Sequence, residues 1–252
     1  MAGRDEIIAF CDELLAPGEF EDYGPNGLQV PGAAEVSKVA TGVTANREFL
    51  ERAVASGAQL AITHHGLFFG RLDAGLSEQL AARLRTALAA ELSVAGYHLP
   101  LDAHTEIGNN ALLCAALGFE REGPFGEVKG RPIGLIARCP DPPTAAELAG
   151  RLTELLAREP FVIDAGPTRI ERIGVVTGGG AGALAEAARA RLDAFLTGEP
   201  AEHALGDSRE AGIHFIAAGH YATETFGVRR LGELVAERFG VEHDFIDVPN
   251  PI

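Results

Sequence analysis

The sequence has few residues that could form covalent cross-links. Cys11, Cys114 and Cys139 are the only cysteines in 252 residues, and they are far apart. An odd number of distant cysteines without a C-x-x-C pair argues against a disulfide framework and against a thiolate zinc site. Cys11 and Cys114 occur in apolar helical patterns, so we expect them to be small core residues.

Long apolar runs are also missing. None approaches the roughly 20 residues that a membrane-spanning helix needs. The first residues, Met-Ala-Gly-Arg-Asp-Glu, lack the basic-then-apolar pattern of a secretion signal. We therefore expect a cytoplasmic protein with no membrane partner.

Basic residues are scarce relative to acidic ones. The 21 Lys and Arg against 36 Asp and Glu give a formal net charge of -15. Such a field repels phosphate backbones and anionic lipid, so a nucleic-acid partner is not expected. Salt-dependent binding to duplex DNA would reverse that expectation. Hydrophobic content of 46% and charged content of 23% are ordinary for a globular protein.

The first half of the chain alternates between strand and helix patterns. Apolar spacing predicts strands at 36–44, 59–63 and 92–97, and helices at 5–15, 46–56, from Ser77 and from Asn109. Residues 20–32 are rich in turn signals and are predicted to form a loop. Alternation of this kind is typical of a three-layer α/β unit.

The second half repeats part of this pattern after a change of composition at 123–126. Strand 170–177, helix 182–191 and strand 194–197 match the order of strand 36–44, helix 46–56 and strand 59–63. We expect a diverged duplication, with a first lobe at 1–123 and a second at 124–252. The predicted fold is two similar three-layer α/β lobes with a metal cleft between them. Other elements of the second lobe are predicted at 133–138, 144–159, 161–164, 213–217, 222–239 and 241–248.

Two adjacent histidines, His64 and His65, follow the strand at 59–63. Neighbouring side chains on a strand point to opposite faces, so the strand is predicted to end before the pair converges, and Gly66 permits a turn. Neutral imidazole is the commonest metal-ligating side chain. The pair indicates a metal site, although a polar loop would also explain it.

Two more apolar strands end at ligand-type residues, at His98 to Asp102 and at His220 to Glu224. In open α/β sheets, ligands bind beyond the carboxyl ends of the strands. Three histidines and two carboxylates without thiolate suit zinc, iron or manganese. Five ligands exceed the three that a catalytic zinc usually takes from the protein, which favours a dinuclear site.

Each of these residues also has a structural interpretation. Asp102 could cap the helix at 109, and His220 with Glu224 could cap a helix start. His98 is a candidate general base or a side chain that orients a ligand, but a core histidine is an equal alternative. His203, His214 and His243 have no partners at ligand spacing and are predicted on the surface. His104 is a weaker candidate than His98.

A glycine-rich turn at 178–182 follows a strand and precedes a helix, as in dinucleotide-binding folds. The match to G-x-G-x-x-G is imperfect because Ala183 holds the last place. We expect these glycines to permit a tight turn, with a phosphate contact as the alternative. Glu199, downstream, could reach the metal cleft without being a ligand.

Five motifs occur in order along the chain: Asp22-Tyr-Gly-Pro-Asn-Gly-Leu-Gln-Val30, Thr63-His-His-Gly66, Tyr97-His-Leu-Pro-Leu-Asp-Ala-His104 with Gly108-Asn-Asn110, Thr197-Gly-Glu199 and Ala217-Ala-Gly-His-Tyr-Ala-Thr-Glu224. With these motifs the chain resembles the Nif-three-like dinuclear metal-centre family, some members of which carry the name type 2 GTP cyclohydrolase I. The resemblance implies two divalent ions per chain, with five ligands: His64, His65, Asp102, His220 and Glu224. It also implies a bridging role for Glu224 and a toroidal homohexamer.

The expected function is a dinuclear metal-dependent hydrolase. Two ions sharing a water would lower the pKa of that water, and His98 or Glu199 would carry protons. The family name suggests a small-molecule substrate, a nucleotide such as GTP, attacked at a purine ring carbon. The alternative is a toroidal assembly protein that stores, delivers or senses metal, or serves as a scaffold, without turnover.

Overall fold

The computed structural model describes residues 1–70 and 75–252 and has the predicted α/β class. Its helices are α1 Arg4–Leu15, α2 Arg47–Ala55, α3 Glu78–Ala89, α4 Leu99–Ala103, α5 Asn109–Ala116, α6 Ala145–Leu156, α7 Leu184–Arg189, α8 Ala204–Ala211, α9 His220–Thr223 and α10 Thr225–Phe239. Its strands are β1 Ala2–Gly3, β2 Gly27–Val30, β3 Glu35–Val36, β4 Lys38–Thr44, β5 Leu60–His65, β6 Ser93–Gly96, β7 Glu120–Val128, β8 Arg131–Arg138, β9 Phe161–Ile163, β10 Arg172–Val176, β11 Ala194–Thr197, β12 His214–Ala217 and β13 Glu242–Phe245.

The chain divides into two compact units. The first comprises 1–101 and 227–248, and the second comprises 102–226 and 249–252. This division differs from the lobes 1–123 and 124–252 expected from composition. The stretch at 123–126 lies inside β7, so its glycines and proline belong to a strand.

The first unit has a five-stranded sheet in the order β13-β4-β5-β6-β2. The strands β13, β4, β5 and β6 are parallel, and β2 is antiparallel to β6. In register, Ile62 lies opposite Thr41 on one side and Ala95 on the other. Because the connections from β4 to β6 run through helices α2 and α3, the carboxyl ends of these parallel strands share one edge.

The second unit has a six-stranded sheet in the order β7-β8-β10-β11-β12-β9. Here β10, β11 and β12 are parallel, whereas β7, β8 and β9 pair antiparallel with their neighbours. Pro124 lies in β7, which is an edge strand. Proline has no N–H to donate, so its place at the edge costs the centre of the sheet no hydrogen bond.

The two units share part of their topology. In each, three parallel strands connected by helices are bordered by an antiparallel strand that precedes them in sequence, β2 in the first unit and β9 in the second. Thr63 opposite Gly96 in the first unit corresponds to Thr197 opposite Ala217 in the second. His65 and Glu199 therefore occupy corresponding positions, each two residues beyond that threonine.

Each unit has its own apolar core. In the first, α2 packs Phe49, Leu50 and Ala53 inward, after Asn46 caps the helix by accepting a hydrogen bond from the Phe49 N–H. The core of the second unit includes Leu148 and Leu152 of α6, a helix that starts with a capping box formed by Thr144 and Glu147. On α3, Ala87 is buried and Leu88 is 57% exposed. Within the described ranges, no helix has the length and apolar character that crossing a bilayer requires.

Candidate metal centre

His64 and His65 are the last two residues of β5, so the strand continues through the pair. The expectation that the strand ends before them is wrong. Their ring centroids nevertheless lie 4.8 Å apart. His64 Nδ1 is 3.0 Å from the Tyr97 carbonyl oxygen beside β6, and His65 Nδ1 is 3.2 Å from Thr44 Oγ1 at the end of β4. The two rings are thus fixed by the two strands that flank β5.

The hydrogen bond of His64 determines its tautomer. A carbonyl oxygen can only accept, so His64 Nδ1 carries a proton, and in the neutral ring Nε2 then carries the lone pair. The residue is fully buried. A buried neutral imidazole with an oriented lone pair is the arrangement that metal-ligating histidines have.

His98 is held at the end of β6 by the loop that precedes β2. Asp22 Oδ1 lies 2.6 Å from His98 Nδ1, and Asp22 Oδ2 accepts a 3.0 Å hydrogen bond from the Leu99 N–H. The His98 N–H donates to Asn26 Oδ1 at 2.8 Å. Burial tends to raise the pKa of Asp22, but hydrogen bonds from His98, Asn26 and the Tyr23 N–H outweigh it and hold that pKa below its ordinary value.

The first unit therefore brings three imidazoles together. His64, His65 and His98 each offer a ring nitrogen, and these nitrogens lie within 4.8 Å of one another. The ring of His98 is 4.9 Å from that of His64 and 5.4 Å from that of His65, measured between centroids. This cluster could hold a metal ion.

In the second unit, Asp102 lies in a buried polar network. Asn109 Nδ2 donates to Asp102 Oδ1 at 2.8 Å, and Thr177 Oγ1 is 3.5 Å from the same oxygen. Asn110 Nδ2 donates to the backbone carbonyls of Asp102 and Ile133, and its Oδ1 accepts from the Thr177 N–H. The carboxylate, 5% exposed, is thus fixed by the first residues of α5 rather than serving as a simple turn residue.

His220 lies between two carboxylates of the second unit. Its Nδ1 is 2.5 Å from Glu199 Oε1, and its Nε2 is 3.0 Å from Glu224 Oε2. Burial tends to lower the pKa of His220, but Glu224 and then Glu199 raise it to about 9. Glu224 is 2% exposed. The i, i+4 spacing therefore puts the imidazole and the buried carboxylate side by side, as expected from the sequence.

The glycine turn at 178–180 packs against this pair. Gly178 has φ +66°, and a Cβ at that position would overlap Glu224 Oε1. The N–H groups of Gly178 and Gly180 donate to Thr223 Oγ1 and Thr197 Oγ1. These two donors are already used inside the protein, which favours the tight-turn interpretation over a phosphate loop.

The remaining histidines lie outside these clusters. His214 is 1% exposed, so its expected surface location is wrong; its Nε2 bonds to the Pro167 carbonyl and its Nδ1 is 3.0 Å from Asp164 Oδ1. His243 Nε2 bonds to Thr41 Oγ1, and His104 Nδ1 accepts from the N–H groups of Glu106 and Ile107. Each is explained by local structure.

Two roles were only partly visible in the sequence. Asp22 was predicted as one polar residue of a loop, and Glu199 as an acid near the cleft. The structure gives each a histidine partner, 76 and 21 residues away in sequence respectively. No local pattern carries such a pairing, although the repeat aligns Glu199 with His65.

Sequence comparison gives a family match over nearly the whole chain. The model of Duf34/NIF3 (NGG1p interacting factor 3) matches residues 2–251. A relative from Pseudomonas aeruginosa is 42% identical over 245 residues, which is 97% of each chain. One from Escherichia coli is 41% identical over 247 residues, 98% of each chain. Both are named GTP cyclohydrolase 1 type 2 homolog.

Solved structures agree with this match. The protein ybgI, described as of unknown function, has a TM-score of 0.95 and 40% identity, with full coverage of both chains. TTHA1606 from Thermus thermophilus has a TM-score of 0.92 and 34% identity, also with full coverage. HcgD from Methanocaldococcus jannaschii, at 20% identity and a TM-score of 0.83 with 98% of each chain covered, shares the fold. The resemblance drawn from the five motifs is confirmed, and the chain belongs to the Duf34/NIF3 family.

Proposed function

We propose that this protein is a divalent-metal-dependent hydrolase that holds two ions per chain. The proposed ligands are His64, His65, Asp102, His220 and Glu224. The proposed substrate is a small molecule, a nucleotide such as GTP, because the curated relatives are named as cyclohydrolase homologues.

The observation that carries the proposal is the pair of ligand histidines in the first unit, His64 and His65, with His98 beside them. His64, His65 and His98 present ring nitrogens within 4.8 Å of one another, and the Tyr97 carbonyl fixes the His64 tautomer so that Nε2 is a lone-pair donor. Imidazole is the commonest metal-ligating side chain, so three such rings at close range, one of them fully buried, suit a bound cation. Nitrogen ligands supplemented by carboxylates fit zinc, iron or manganese.

The second unit supplies two buried carboxylates that are candidate metal ligands. Asp102 and Glu224 are 5% and 2% exposed. An ionised carboxylate loses much of its hydration on burial, so it needs a compensating positive charge or several hydrogen bonds. The donors from Asn109 and Thr177 hold Asp102, while His220 lies against Glu224.

In the proposed mechanism, paired divalent ions would supply the acidity that turns water into a nucleophile at neutral pH. His98 is the proposed proton carrier. Asp22 accepts the His98 Nδ1–H, so Nε2 is the atom that takes up or releases a proton. Glu199 acts through His220, because its Oε1 accepts from His220 Nδ1 and turns Nε2 toward Glu224.

The family resemblance supports an assembly of six copies in a toroid. The net charge of -15 repels anionic ligands at long range. Bound cations would reverse that field locally, which is a further reason to propose metal ions for a protein that takes a nucleotide.

Metal content and turnover of GTP test the proposal together. Elemental analysis of protein reconstituted with zinc, iron or manganese is expected to give two ions per chain. Glu224→Ala should lose a large share of them, whereas Glu202→Ala, which removes an exposed carboxylate, should keep both. His98→Gln should keep both ions and lose about 100-fold in the rate of purine ring opening, because the proton carrier is absent.

The outcomes separate the two function classes. No bound metal in the wild type after reconstitution would overturn both the hydrolase and a metal-handling protein. Two ions without turnover of GTP or other nucleotides would support the assembly protein. Loss of turnover in His98→Gln at full metal content would support the enzyme.

A further inference from the structure

We propose that Tyr23 and Phe69, here called the aromatic platform, bind a planar conjugated ring of the ligand beside His65 and His98. The proposal deepens the proposed function, on which it rests for the chemistry at the two histidines. In this proposal Tyr23 and Phe69 recognise the planar ring of the ligand.

The platform continues the histidine cluster outward. The Phe69 ring lies 5.0 Å from the ring of His65 and meets the ring of His98 edge-on at 4.9 Å and 85°. Tyr23 contacts His98 edge-on at 5.9 Å and lies 6.4 Å from Phe69. Tyr23 is 48% exposed and Phe69 is 40% exposed, so both retain accessible ring surface next to the candidate ligands.

Backbone contacts fix the positions of both rings. The Gly70 N–H donates to the Tyr23 carbonyl at 2.8 Å, and a Cβ on Gly24 would overlap the Phe68 carbonyl oxygen. Asp22 Oδ1, which holds His98, also accepts from the Tyr23 N–H at 2.6 Å. The two loops are therefore packed backbone against backbone, and the platform is tied to the same carboxylate as the proposed proton carrier.

Gln29 secures the loop that carries Phe69. Its Oε1 accepts from the N–H groups of Leu67 and Phe68, and its Nε2 donates to the Pro25 carbonyl at 2.7 Å. A side chain on Gly66 would overlap the Gln29 amide. The absence of a side chain at Gly66 therefore leaves the space that the Gln29 amide occupies.

A planar ring is the ligand chemistry that fits this surface. Aromatic faces bind conjugated rings in offset or edge-on stacks, and such stacking is tolerant of ring identity because every base has a π-face. Stacking also does not depend on charge. In a chain with a net charge of -15, a contact of this kind gives affinity that long-range electrostatics would not supply to an anionic nucleotide.

Neutral nucleosides test the platform without charge or turnover. Binding of guanosine, adenosine and ribose to the metal-loaded full-length protein would be measured by calorimetry. Both nucleosides should bind at least about tenfold more tightly than ribose. Tyr23→Leu and Phe69→Leu should each raise the Kd for both nucleosides about tenfold, with metal content unchanged. Tyr23→Phe and Phe69→Tyr keep a ring and should retain the affinity. Phe161→Leu, at a 52% exposed phenylalanine of the second unit, is the control.

Several results would overturn the platform. The first is that the nucleosides bind no better than ribose, and the second is that the leucine variants have an unchanged Kd. The third is that the leucine variants change the oligomeric state but not the affinity, which would make the rings an interface between copies. Ring-dependent binding without turnover of any nucleotide would uphold the platform and count against the hydrolase. Nucleotide turnover that neither leucine substitution changes would support the hydrolase and count against the platform.

Discussion

Gly178 occupies a position where a side chain has no space. Its φ of +66° is unfavourable for other residues, and an added Cβ would overlap Glu224 Oε1. Gly178→Ala is expected to lower the free energy of unfolding by about 1–2 kcal/mol from backbone strain alone and to reduce metal content by displacing Glu224. Urea unfolding and elemental analysis would measure both. Gly182→Ala is the matched control, because a Cβ there meets no atom within 4 Å. Equal behaviour of the two variants would contradict the packing role assigned to Gly178.

The residues of the candidate centre differ in how far the sequence could identify them. His64 and His65 stand out because two imidazoles at a strand end form a local pattern. Asp22 does not, since its partner His98 lies 76 residues away and only the tertiary structure joins them. For the glycine turn the sequence favoured tight packing and left a phosphate contact as the alternative, because both occur at strand-turn-helix junctions. The hydrogen bonds of Gly178 and Gly180 to threonine hydroxyls favour packing.

Helix α6 is the element whose start the sequence specified most directly. Thr144 Oγ1 accepts from the Glu147 N–H, and Glu147 Oε2 accepts from the Thr144 N–H at 2.7 Å. Thr144→Ala should lower the free energy of unfolding by about 1 kcal/mol, measured by urea unfolding at neutral pH. The Thr144 hydrogen bonds hold the pKa of Glu147 below its ordinary value, so the stabilisation is present at neutral pH and fades as the pH falls through the folded-state pKa.

Thr153→Ala on an exposed turn of α6 should change stability by less than about 0.5 kcal/mol. A Thr144→Ala variant as stable as Thr153→Ala would show that the box does not stabilise α6.

Strands whose sequences are regular apolar runs were predictable. Strands that form only because they pair with segments far away along the chain were not. The β4-α2-β5 order follows from hydrophobic periodicity. In contrast, β2 lies in a stretch rich in Pro, Asn and Gly, and β7 contains Gly123 and Pro124, so both resemble loops in sequence. The strand β13 was predicted as part of the second lobe, but Glu242 pairs with Lys38 of β4 in the first unit. Local patterns contain no information about a partner so far away along the chain.

At the scale of the molecule, the repeat explains the distribution of chemistry along the chain. Both units place polar residues at the carboxyl ends of parallel strands: His64 and His65 are the last residues of β5 in one, and Glu199 lies two residues beyond β11 in the other. The first unit supplies imidazoles, whereas the second supplies the buried carboxylates Asp102 and Glu224. Imidazole nitrogens and carboxylate oxygens are both donors that borderline divalent metals accept, which supports the proposed ligands.

If the proposed ions bind the folded protein, their removal must lower its stability. A ligand present at about 100 times its Kd stabilises the native state by about 2.7 kcal/mol. For a chain of this size, each kcal/mol corresponds to about 2–4 °C in Tm. Chelation with EDTA should therefore lower the Tm of metal-loaded wild-type protein by about 5–10 °C, and added zinc should restore it.

Calorimetry at fixed protein concentration would separate this effect from changes in assembly. Glu224→Ala should respond much less to EDTA, whereas Glu202→Ala should respond like the wild type. An unchanged wild-type Tm after verified removal of the metal would mean that the ions contribute nothing to the stability of the native state, which would contradict the proposal that they bind buried ligands such as Asp102 and Glu224.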